Sequence, residues 1–212
     1  MSDPRIGVLA LQGDFAEHAV ALRAIGADAV EVRLPGQLKG LDGLIIPGGE
    51  STTIARLLHR WGFVEPLRSR ARDGLAIWGT CAGAILLAER APDLDTEGLR
   101  LMDIEVRRNA FGRQVDSFEA SLDVAALGPE PFPAVFIRAP LIDRVGPKAE
   151  ALASLGDGAV VAARQGRLLA TSFHPELTTD TRFHRYFLSI AGDGGEASSR
   201  NGAQARASAR PG

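Results

Sequence analysis

The sequence predicts an α/β protein whose sheet is mostly parallel, with helices on both faces and an antiparallel extension. The first observation is a regular alternation of short apolar runs and amphipathic segments over the first ninety residues. The second is a change beyond that point to three β-like stretches with little helix between them. The third is a hairpin followed by one closing amphipathic helix. A chain of 212 residues suits a single domain, which we expect to span residues 1–191.

The first half of the chain alternates the strand-like runs RIGVLALQG, AVEVRLP, GLIIPGG and GLAIWG with the predicted helices DFAEHAVALRAIGA, ESTTIARLLHRWG and AGAILLAER. Asp14 and Glu17 have the spacing of a capping box, and the hydroxyls of Ser51, Thr52 and Thr53 are typical of a helix start. The apolar positions of the first helix are Phe15, Val20, Leu22 and Ile25. Such alternation is typical of a three-layer, flavodoxin-like fold.

The second half of the chain predicts the antiparallel extension. Three β-like stretches, LRLMDIEVRRN, QVDSFEASLDV and FPAVFIRAP, follow one another. The segment AVVAARQGRLLATSFHPE predicts a hairpin that turns near Gln165 and Gly166. The closing helix, TTDTRFHRYFLSIAG, carries on one side Phe183, Phe187, Leu188 and Ile190. Residues 192–212 contain no large apolar side chain, so we expect a disordered tail there.

Composition and charge exclude several classes of function. The net charge is −2, from 24 basic and 26 acidic residues, whereas nucleic-acid and anionic-membrane binders carry a basic excess. No apolar run approaches the roughly 20 residues that span a bilayer, and the N-terminus lacks the basic region and cleavage site of a signal peptide. A single cysteine rules out an internal disulfide framework and suits the reducing cytoplasm. We expect no metal, dinucleotide or other cofactor, because ligand spacings and a complete glycine fingerprint are missing.

Cys81, the only cysteine, lies in the stretch GTCAG between an apolar strand and a helix. A strand, a tight turn flanked by Gly79 and Gly83, and a helix form the plan of a nucleophile elbow. The helix start favours the thiolate, and free backbone N–H groups there can stabilise an oxyanion. A buried structural cysteine is the alternative, and this stretch alone leaves the two interpretations balanced.

His174 and Glu176 lie two residues apart in the stretch SFHPE. In an extended segment this spacing places both side chains on one side, and Pro175 between them favours that shape. A carboxylate there can hold the imidazole while its other nitrogen faces a thiol. A surface turn with a solvated glutamate is the alternative for this stretch alone. Together with the cysteine, the pair predicts thiolate attack on an acyl carbon through a thioester.

The stretch PGGES links a strand to a helix through Gly48 and Gly49. The first N–H groups of a helix have no partner within it, so such a loop can bind a carbonyl oxygen or a carboxylate. An ordinary strand–turn–helix connection is the alternative, and two adjacent glycines are weak evidence by themselves.

Read together, PGGES, GTCAG and SFHPE resemble the class I, or triad, glutamine amidotransferases. The stretches GVLALQGDFAEH, LIIPGGESTTI, RRNAFGRQVDSFE and VFIRAP narrow the resemblance to the glutaminase subunits of pyridoxal 5'-phosphate synthase. The resemblance runs in order from Arg5 to Ala191 without large gaps.

The resemblance assigns a role to each matching residue. It implies that Cys81 is the nucleophile, His174 the general acid and base, and Glu176 the carboxylate that orients it. It implies an oxyanion hole from the amides of Gly49 and Ala82. Further residues implied to bind glutamine are Gly49, Glu50, Ser51, Arg108, Ile137 and Arg138. The fork of an arginine matches the α-carboxylate of glutamine, but the choice of Arg108 over its neighbour Arg107 rests on the resemblance alone.

The resemblance also implies a partner. The glutaminase would pass ammonia to a TIM-barrel synthase subunit, in an assembly of roughly twelve copies of each subunit. It would be nearly silent alone and switched on by docking, with Gln12 on the face that meets the partner. Two alternatives stay open: a glutaminase of another system, such as imidazole glycerol phosphate synthesis, and a non-catalytic regulatory module of the same fold.

The remaining histidines and tryptophans are given structural roles. We expect His18 and His184, on predicted helices, to have no catalytic role, and His59 to be solvated beside Arg60. Trp61 and Trp78 are predicted to lie in the core.

Overall fold

A single large sheet forms the centre of the molecule in the computed structural model, which describes residues 4–108 and 117–193. The strands are β1 Arg5–Leu9, β2 Asp28–Val32, β3 Gly43–Ile46, β4 Ala76–Thr80, β5 Ala88–Arg90, β6 Met102–Arg107, β7 Ser117–Leu122, β8 Phe132–Ile137, β9 Leu141–Val145, β10 Glu150–Ser154, β11 Val160–Gln165 and β12 Leu168–Thr171. The α-helices are α1 Phe15–Ala24, α2 Ser51–Arg60, α3 Val64–Arg72, α4 Ala82–Leu87 and α5 Arg182–Gly192.

The large sheet has a parallel half and an antiparallel half. Its order is β2-β1-β3-β4-β12-β11-β9-β6-β5, with β10 paired to β11. The first five strands in this order, β2, β1, β3, β4 and β12, are parallel to one another. Strand β11 runs antiparallel to β12, and β9 runs antiparallel to both β11 and β6. Strands β7 and β8 form a separate antiparallel pair. The predicted fold class is therefore confirmed.

Two hydrophobic cores lie on opposite faces of this sheet. Successive residues of a strand point to opposite faces, and in β3 Leu44 and Ile46 join one core while Ile45 joins the other. The first core is closed by α2, α3 and α4, and the second by α1, α5 and the β7–β8 pair. The helices of the two layers cover the parallel strands from both sides. The loops that carry the predicted site residues emerge at the carboxyl ends of these strands.

Helix α1 buries Leu22 and half-buries Phe15 and Ile25, as predicted, but Val20 points outwards. Val20 is 65% exposed, whereas His18, Ala19 and Leu22 are buried. The apolar spacing misassigned Val20 because an aromatic polar residue, His18, takes the inward position. The predicted capping box does not form either, since the Asp14 side chain makes no cap hydrogen bond.

Three further predictions need correction. The N-cap of α2 is Glu50, without a side-chain cap, rather than a hydroxyl. Trp78 is fully buried as predicted, but Trp61 is 50% exposed because it follows the last turn of α2, where it lies beside Arg60. The helix predicted over AGAILLAER ends at Leu87, and its last three residues form β5.

One helix and two further strands were not predicted, whereas the hairpin was. Helix α3 was missed because its sequence, VEPLRSRAR, is mostly polar and buries only Val64 and Leu67. Strands β9 and β10 were also missed. The predicted hairpin is confirmed by the pairing of Gln165 with Leu168.

The closing helix extends through Gly192, one residue past the expected domain boundary. Beyond Asp193, the predicted tail lies outside the described residues, as does most of the stretch RRNAFGRQVDSFE. No helix in residues 4–108 and 117–193 combines the length and the apolar character of a membrane span.

Candidate functional site

Four adjacent parallel strands end at the same edge of the sheet, and a predicted site residue follows each of them. Gln12 comes after β1, Gly48 and Gly49 after β3, Cys81 after β4, and His174 after β12. Loops at the carboxyl ends of parallel strands meet above the sheet. The fold therefore brings together residues that are up to 162 positions apart, counted from Gln12 to His174.

Cys81 occupies a strained turn. It joins β4 to α4 with φ 47° and ψ −103°, a left-handed conformation that non-glycine residues rarely adopt. Its N–H donates to the Thr171 carbonyl at 2.8 Å, and its carbonyl accepts from the Ala84 N–H at 3.1 Å. These bonds hold the cysteine backbone from both sides, so its side chain has a fixed direction at the start of the helix.

The glycines beside Cys81 are required by close backbone approach. A Cβ on Gly79 would lie 2.4 Å from the Gly83 carbonyl carbon, and one on Gly83 would lie 2.1 Å from the Ile46 carbonyl oxygen. Both distances are far inside van der Waals contact. The cramped turn inferred from GTCAG is therefore present, and it packs directly against the end of β3.

His174 and Glu176 are in direct contact. The Nδ1–H of His174 donates to Glu176 Oε1 at 2.7 Å, and the Glu176 side chain has no solvent exposure. The sequence predicted an extended segment here, but the segment is not extended throughout. His174 has φ −107° and ψ 86°, and Pro175–Leu177 forms a 3-10 turn that swings Glu176 back towards the imidazole.

Hydrogen bonds keep His174 protonated despite its burial. Burial alone lowers the pKa of His174, but hydrogen bonds with Asp14, Cys81 and Glu176 outweigh it and raise the pKa to about 12. Burial raises the pKa of Glu176, yet the His18 charge and the hydrogen bond from His174 together lower it well below its ordinary value. The site thus holds an imidazolium between the Cys81 sulfur and the Glu176 carboxylate.

The PGGES loop lies against the same imidazole. A Cβ on Gly48 would lie 2.4 Å from His174 Cε1, and the Gly48 carbonyl accepts from the Asp14 N–H at 3.1 Å. Gly49 has φ +150°, and its Cα faces Gln12, whose Oε1 accepts from the Glu50 N–H at 2.8 Å. Gln12 therefore fastens the loop from the end of β1, whereas its predicted role at the partner face stays a prediction.

The two neighbouring arginines at the end of β6 have different partners. Arg108 donates to Glu50 Oε1 at 2.8 Å and to Thr52 Oγ1 at 3.0 Å, which places it at the mouth of the PGGES loop. Arg107 instead donates to Asp143 on β9 at 2.8 Å. Of the two, Arg108 is the one in contact with the predicted glutamine-binding loop.

The other predicted binding residues lie at two places. Ser51 is buried at the first position of α2, next to Glu50, and Ala82 is the first residue of α4. Ile137 and Arg138 are exposed at the end of β8, where Arg138 has φ 42°. That strand adjoins the site, because its Val135 carbonyl accepts from the His174 N–H at 2.8 Å.

Sequence reasoning missed a buried polar chain behind the site. His18 Nε2 lies 3.2 Å from Glu176 Oε2 and 3.1 Å from Thr80 Oγ1. His18 Nδ1 lies 3.1 Å from His184 Nε2. Both histidines are buried. Nothing in the sequence indicated that either of them belongs to a hydrogen-bonded network. His59, by contrast, is exposed as predicted, and touches the Glu97 carbonyl at 2.8 Å.

Three of these groups could also hold a cation. Donor atoms of Asp14, His174 and Glu176 lie within 4.8 Å of one another in the part of the chain that the structure describes. The residues are 160 positions apart from Asp14 to His174, so no sequence spacing could reveal them. The same atoms already form the hydrogen-bonded histidine–carboxylate contact, and that contact accounts for their proximity.

A cysteine on a strained strand–turn–helix, beside a histidine bonded to a buried carboxylate, is the arrangement of enzymes that cleave acyl compounds through a thiol. The chain belongs to the SNO glutamine amidotransferase family, whose model matches residues 8–191.

Similar proteins narrow the relationship further. The chain is 59% identical over 187 residues to a "Pyridoxal 5'-phosphate synthase subunit PdxT" from Roseiflexus sp. (strain RS-1), covering 87% of this chain and 99% of that one. It is 60% identical over 193 residues to the protein of the same name from Deinococcus radiodurans, covering 89% and 97% of the two chains.

Solved structures show the same fold. A crystal structure described as a glutamine amidotransferase is 52% identical, with a TM-score of 0.84, and covers 88% of this chain and 98% of its own. PurLQS from Thermotoga maritima is 15% identical with a TM-score of 0.67 over 89% of this chain and 99% of that chain, which is a likeness of fold alone.

Proposed function

We propose that this chain is the glutaminase subunit of a pyridoxal 5'-phosphate synthase, hydrolysing L-glutamine to glutamate and ammonia. The observation that carries the proposal is the alignment of Cys81, protonated His174 and buried Glu176 at one edge of the sheet. Relatives about 60% identical over nearly their whole length bear the name of that synthase's subunit. The ammonia then serves the synthase subunit in making pyridoxal 5'-phosphate.

The first chemical step forms a thioester. The Cys81 thiolate attacks the side-chain amide carbon of glutamine, and the carbonyl electron pair moves onto the oxygen. The amides of Gly49 and Ala82 stabilise that oxyanion. His174 then gives its proton to the amide nitrogen, the carbon–nitrogen bond breaks, and ammonia leaves.

The second step regenerates the enzyme. Neutral His174 takes a proton from water, the resulting hydroxide attacks the thioester carbon, and the carbon–sulfur bond breaks to release glutamate and the Cys81 thiolate. Glu176 stays ionised throughout and stabilises the imidazolium that appears in each half of the cycle.

Recognition of glutamine falls to the loops that surround the thiol. Arg108 offers its guanidinium to the α-carboxylate, because its present partner Glu50 is half exposed and the pair lies at the site mouth. Glu50 and the buried start of α2 at Ser51 face the amino-acid end of the substrate. Ile137 and Arg138 close the opposite side from β8.

The partner is a TIM-barrel synthase subunit, in an assembly of about twelve copies of each chain. Gln12 lies on the docking face, close to the PGGES loop that it already fastens. A contact there bears on the loop that carries the Gly49 amide, which supports a glutaminase that is activated by docking. The reaction takes place in the cytoplasm.

The test is a measurement of glutamate and ammonia with the purified chain, its synthase partner and L-glutamine. We expect ammonia release to rise strongly when the partner is added, and the Cys81→Ala variant to bind the partner with no glutaminase activity. A wild-type rate that stays at background with the partner present contradicts the proposed function, and turnover by Cys81→Ala removes Cys81 from the mechanism.

A further inference from the structure

We propose that His18 is a positioning residue for the glutaminase site, holding the second carboxylate oxygen of Glu176 so that the first is presented to His174. The inference rests on the proposed function, in which Glu176 orients His174. It adds a fourth side chain, from helix α1, to the three that the chemistry uses.

The contacts place Glu176 between two imidazoles. Its Oε1 lies 2.7 Å from His174 Nδ1 and its Oε2 lies 3.2 Å from His18 Nε2. The side chains of Glu176 and His18 have no solvent exposure. The second contact is at ion-pair distance but is not aligned as a hydrogen bond. His18 Nε2 makes its hydrogen bond with Thr80 Oγ1 at 3.1 Å and faces Glu176 Oε2 as an ion-pair partner.

A second histidine contacts the ring of His18 on the side away from Glu176. Burial, and then the charge of His18, lower the pKa of His184 to about 3, so His184 is neutral. His18 Nδ1 lies 3.1 Å from His184 Nε2, so one ring N–H lies between the two imidazoles, and His18 Nε2 faces Glu176. The other ring nitrogen of His184 is buried and has no hydrogen-bond partner among the described residues.

Among residues 4–108 and 117–193, the surroundings of His18 leave no other group for this task. Helix α5 contributes His184, β4 contributes Thr80 and the edge of the Trp78 ring, and the 3-10 turn contributes Glu176. Asp14, on the same side of α1, contacts His174 rather than His18. The charged and titratable groups near the proposed contact are therefore Asp14, His174, Glu176 and His184.

The arrangement has a mechanical consequence. A carboxylate held at one oxygen can rotate, whereas one held at both oxygens from opposite sides cannot. Because His18 belongs to α1 and His184 to α5, the seating of these two helices on the sheet fixes the orientation of Glu176 and, through it, of His174. A fully buried carboxylate oxygen without a nearby N–H would also be costly to keep ionised.

The test compares His18→Leu, which removes the N–H, with His18→Gln, whose amide nitrogen can replace Nε2. Steady-state kinetics are measured in the complex with the synthase partner. We expect kcat to fall about 10- to 100-fold in His18→Leu with KM within about twofold, and the acid limb of the pH–rate profile to move up by at least about one pH unit. His18→Gln should recover most of kcat. His59→Leu, at an exposed histidine, is the matched control and should behave as wild type.

A second readout does not depend on glutaminase activity. The chain has four histidines, so substituting each in turn assigns the ring N–H resonances in the NMR spectrum of the free chain. The Nδ1–H of His174 reports the ionisation of Glu176, and in His18→Leu it should change at a pH at least about one unit higher than in wild type. This shift is expected even if the wild-type complex fails to hydrolyse glutamine, which would overturn the proposed function alone.

Two outcomes overturn the inference. One is a His18→Leu variant with wild-type kcat and an unshifted His174 resonance. The other is a His18→Gln variant as slow as His18→Leu with an equal loss of melting temperature, because that pattern means His18 only fills space.

Discussion

Two buried histidines lie at opposite ends of the chain of polar side chains formed by His174, Glu176, His18 and His184. One of the two is protonated and the other is neutral. His174 faces the thiol and has a pKa raised to about 12, whereas His184, at the back, has a pKa lowered to about 3. Burial lowers the pKa of both imidazoles. The difference comes from their neighbours: His174 has the carboxylates of Asp14 and Glu176 beside it, and His184 has only an imidazole within hydrogen-bonding distance among the described residues.

The contrast shows that one buried carboxylate, Glu176, separates two parts of the polar chain that have different functions. Glu176 is ionised because imidazoles reach it from both sides. On the front side it keeps a proton on His174, where the proposed reaction needs an acid. On the back side the neutral His184 contacts the His18 ring without adding charge. The same residue type therefore serves as acid at one end and as support at the other.

Removing the charge between the two histidines should have the largest effect. We expect Glu176→Gln to lower the glutaminase kcat by about 10²- to 10⁴-fold with a smaller change in KM, because the amide cannot stabilise the imidazolium or hold its tautomer. The measurement is ammonia release in the complex with the synthase partner.

A matched control is Glu65→Gln on α3, where the carboxylate pairs with Arg68 at 3.0 Å but is 74% exposed. It should change kcat by less than about twofold. Equal rates for Glu176→Gln and wild type would mean that Glu176 does not act on the reaction at all.

The lowered pKa of His184, at the back of the polar chain, predicts a pH effect on stability. The folded-state pKa of His184, about 3, lies below its ordinary value of 6.5, so in that window the unfolded chain binds a proton that the folded chain refuses. Stability should therefore fall as the pH drops below 6.5. Each pH unit costs about 1.4 kcal/mol from this residue, or about 2 kcal/mol between pH 6.5 and about 5.

Denaturant titrations across this range check the effect against His184→Gln, which cannot titrate. The wild type should lose unfolding free energy more steeply than the variant, while His59→Gln, at an exposed histidine, should keep the wild-type slope. If wild type and His184→Gln have parallel pH profiles, His184 is not held neutral in the folded chain.

The fold could be predicted from sequence because its signals are local. Continuous apolar runs identified β1, β3 and β4, and the strand-end rule predicted that Gly49, Cys81 and His174 would be neighbours. Prediction failed where tertiary packing overrides periodicity. Helix α3 is too polar to be recognised, and Val20 faces outwards because a histidine takes its place inside.

The polar chain behind the site could not be predicted for a related reason. The contact between His18 and His184 joins residues 166 positions apart, and it exists only because α1 and α5 pack on the same face of the sheet. A histidine on a helix has no sequence signature that separates a solvated ring from a buried one. Asp14 was likewise assigned to a capping box, although its side chain lies beside His174 instead.

Asp14 offers the smallest and most specific test of the front end. Its carboxylate lies 3.4 Å from His174 Nδ1 and is 40% exposed, whereas Glu176 lies 2.7 Å from the same nitrogen and is buried. Water and salt screen an exposed charge, so its loss should matter less. We expect Asp14→Asn to lower the pKa of His174 and to reduce kcat by about three- to tenfold at low salt, with the difference from wild type shrinking at about 1 M salt. The pH titration of the His174 ring by NMR, together with rates at both salt concentrations, measures this. A loss as large as that of Glu176→Gln, or one that salt does not change, would make Asp14 a full member of the buried group and would move the front of the polar chain out to the solvent edge.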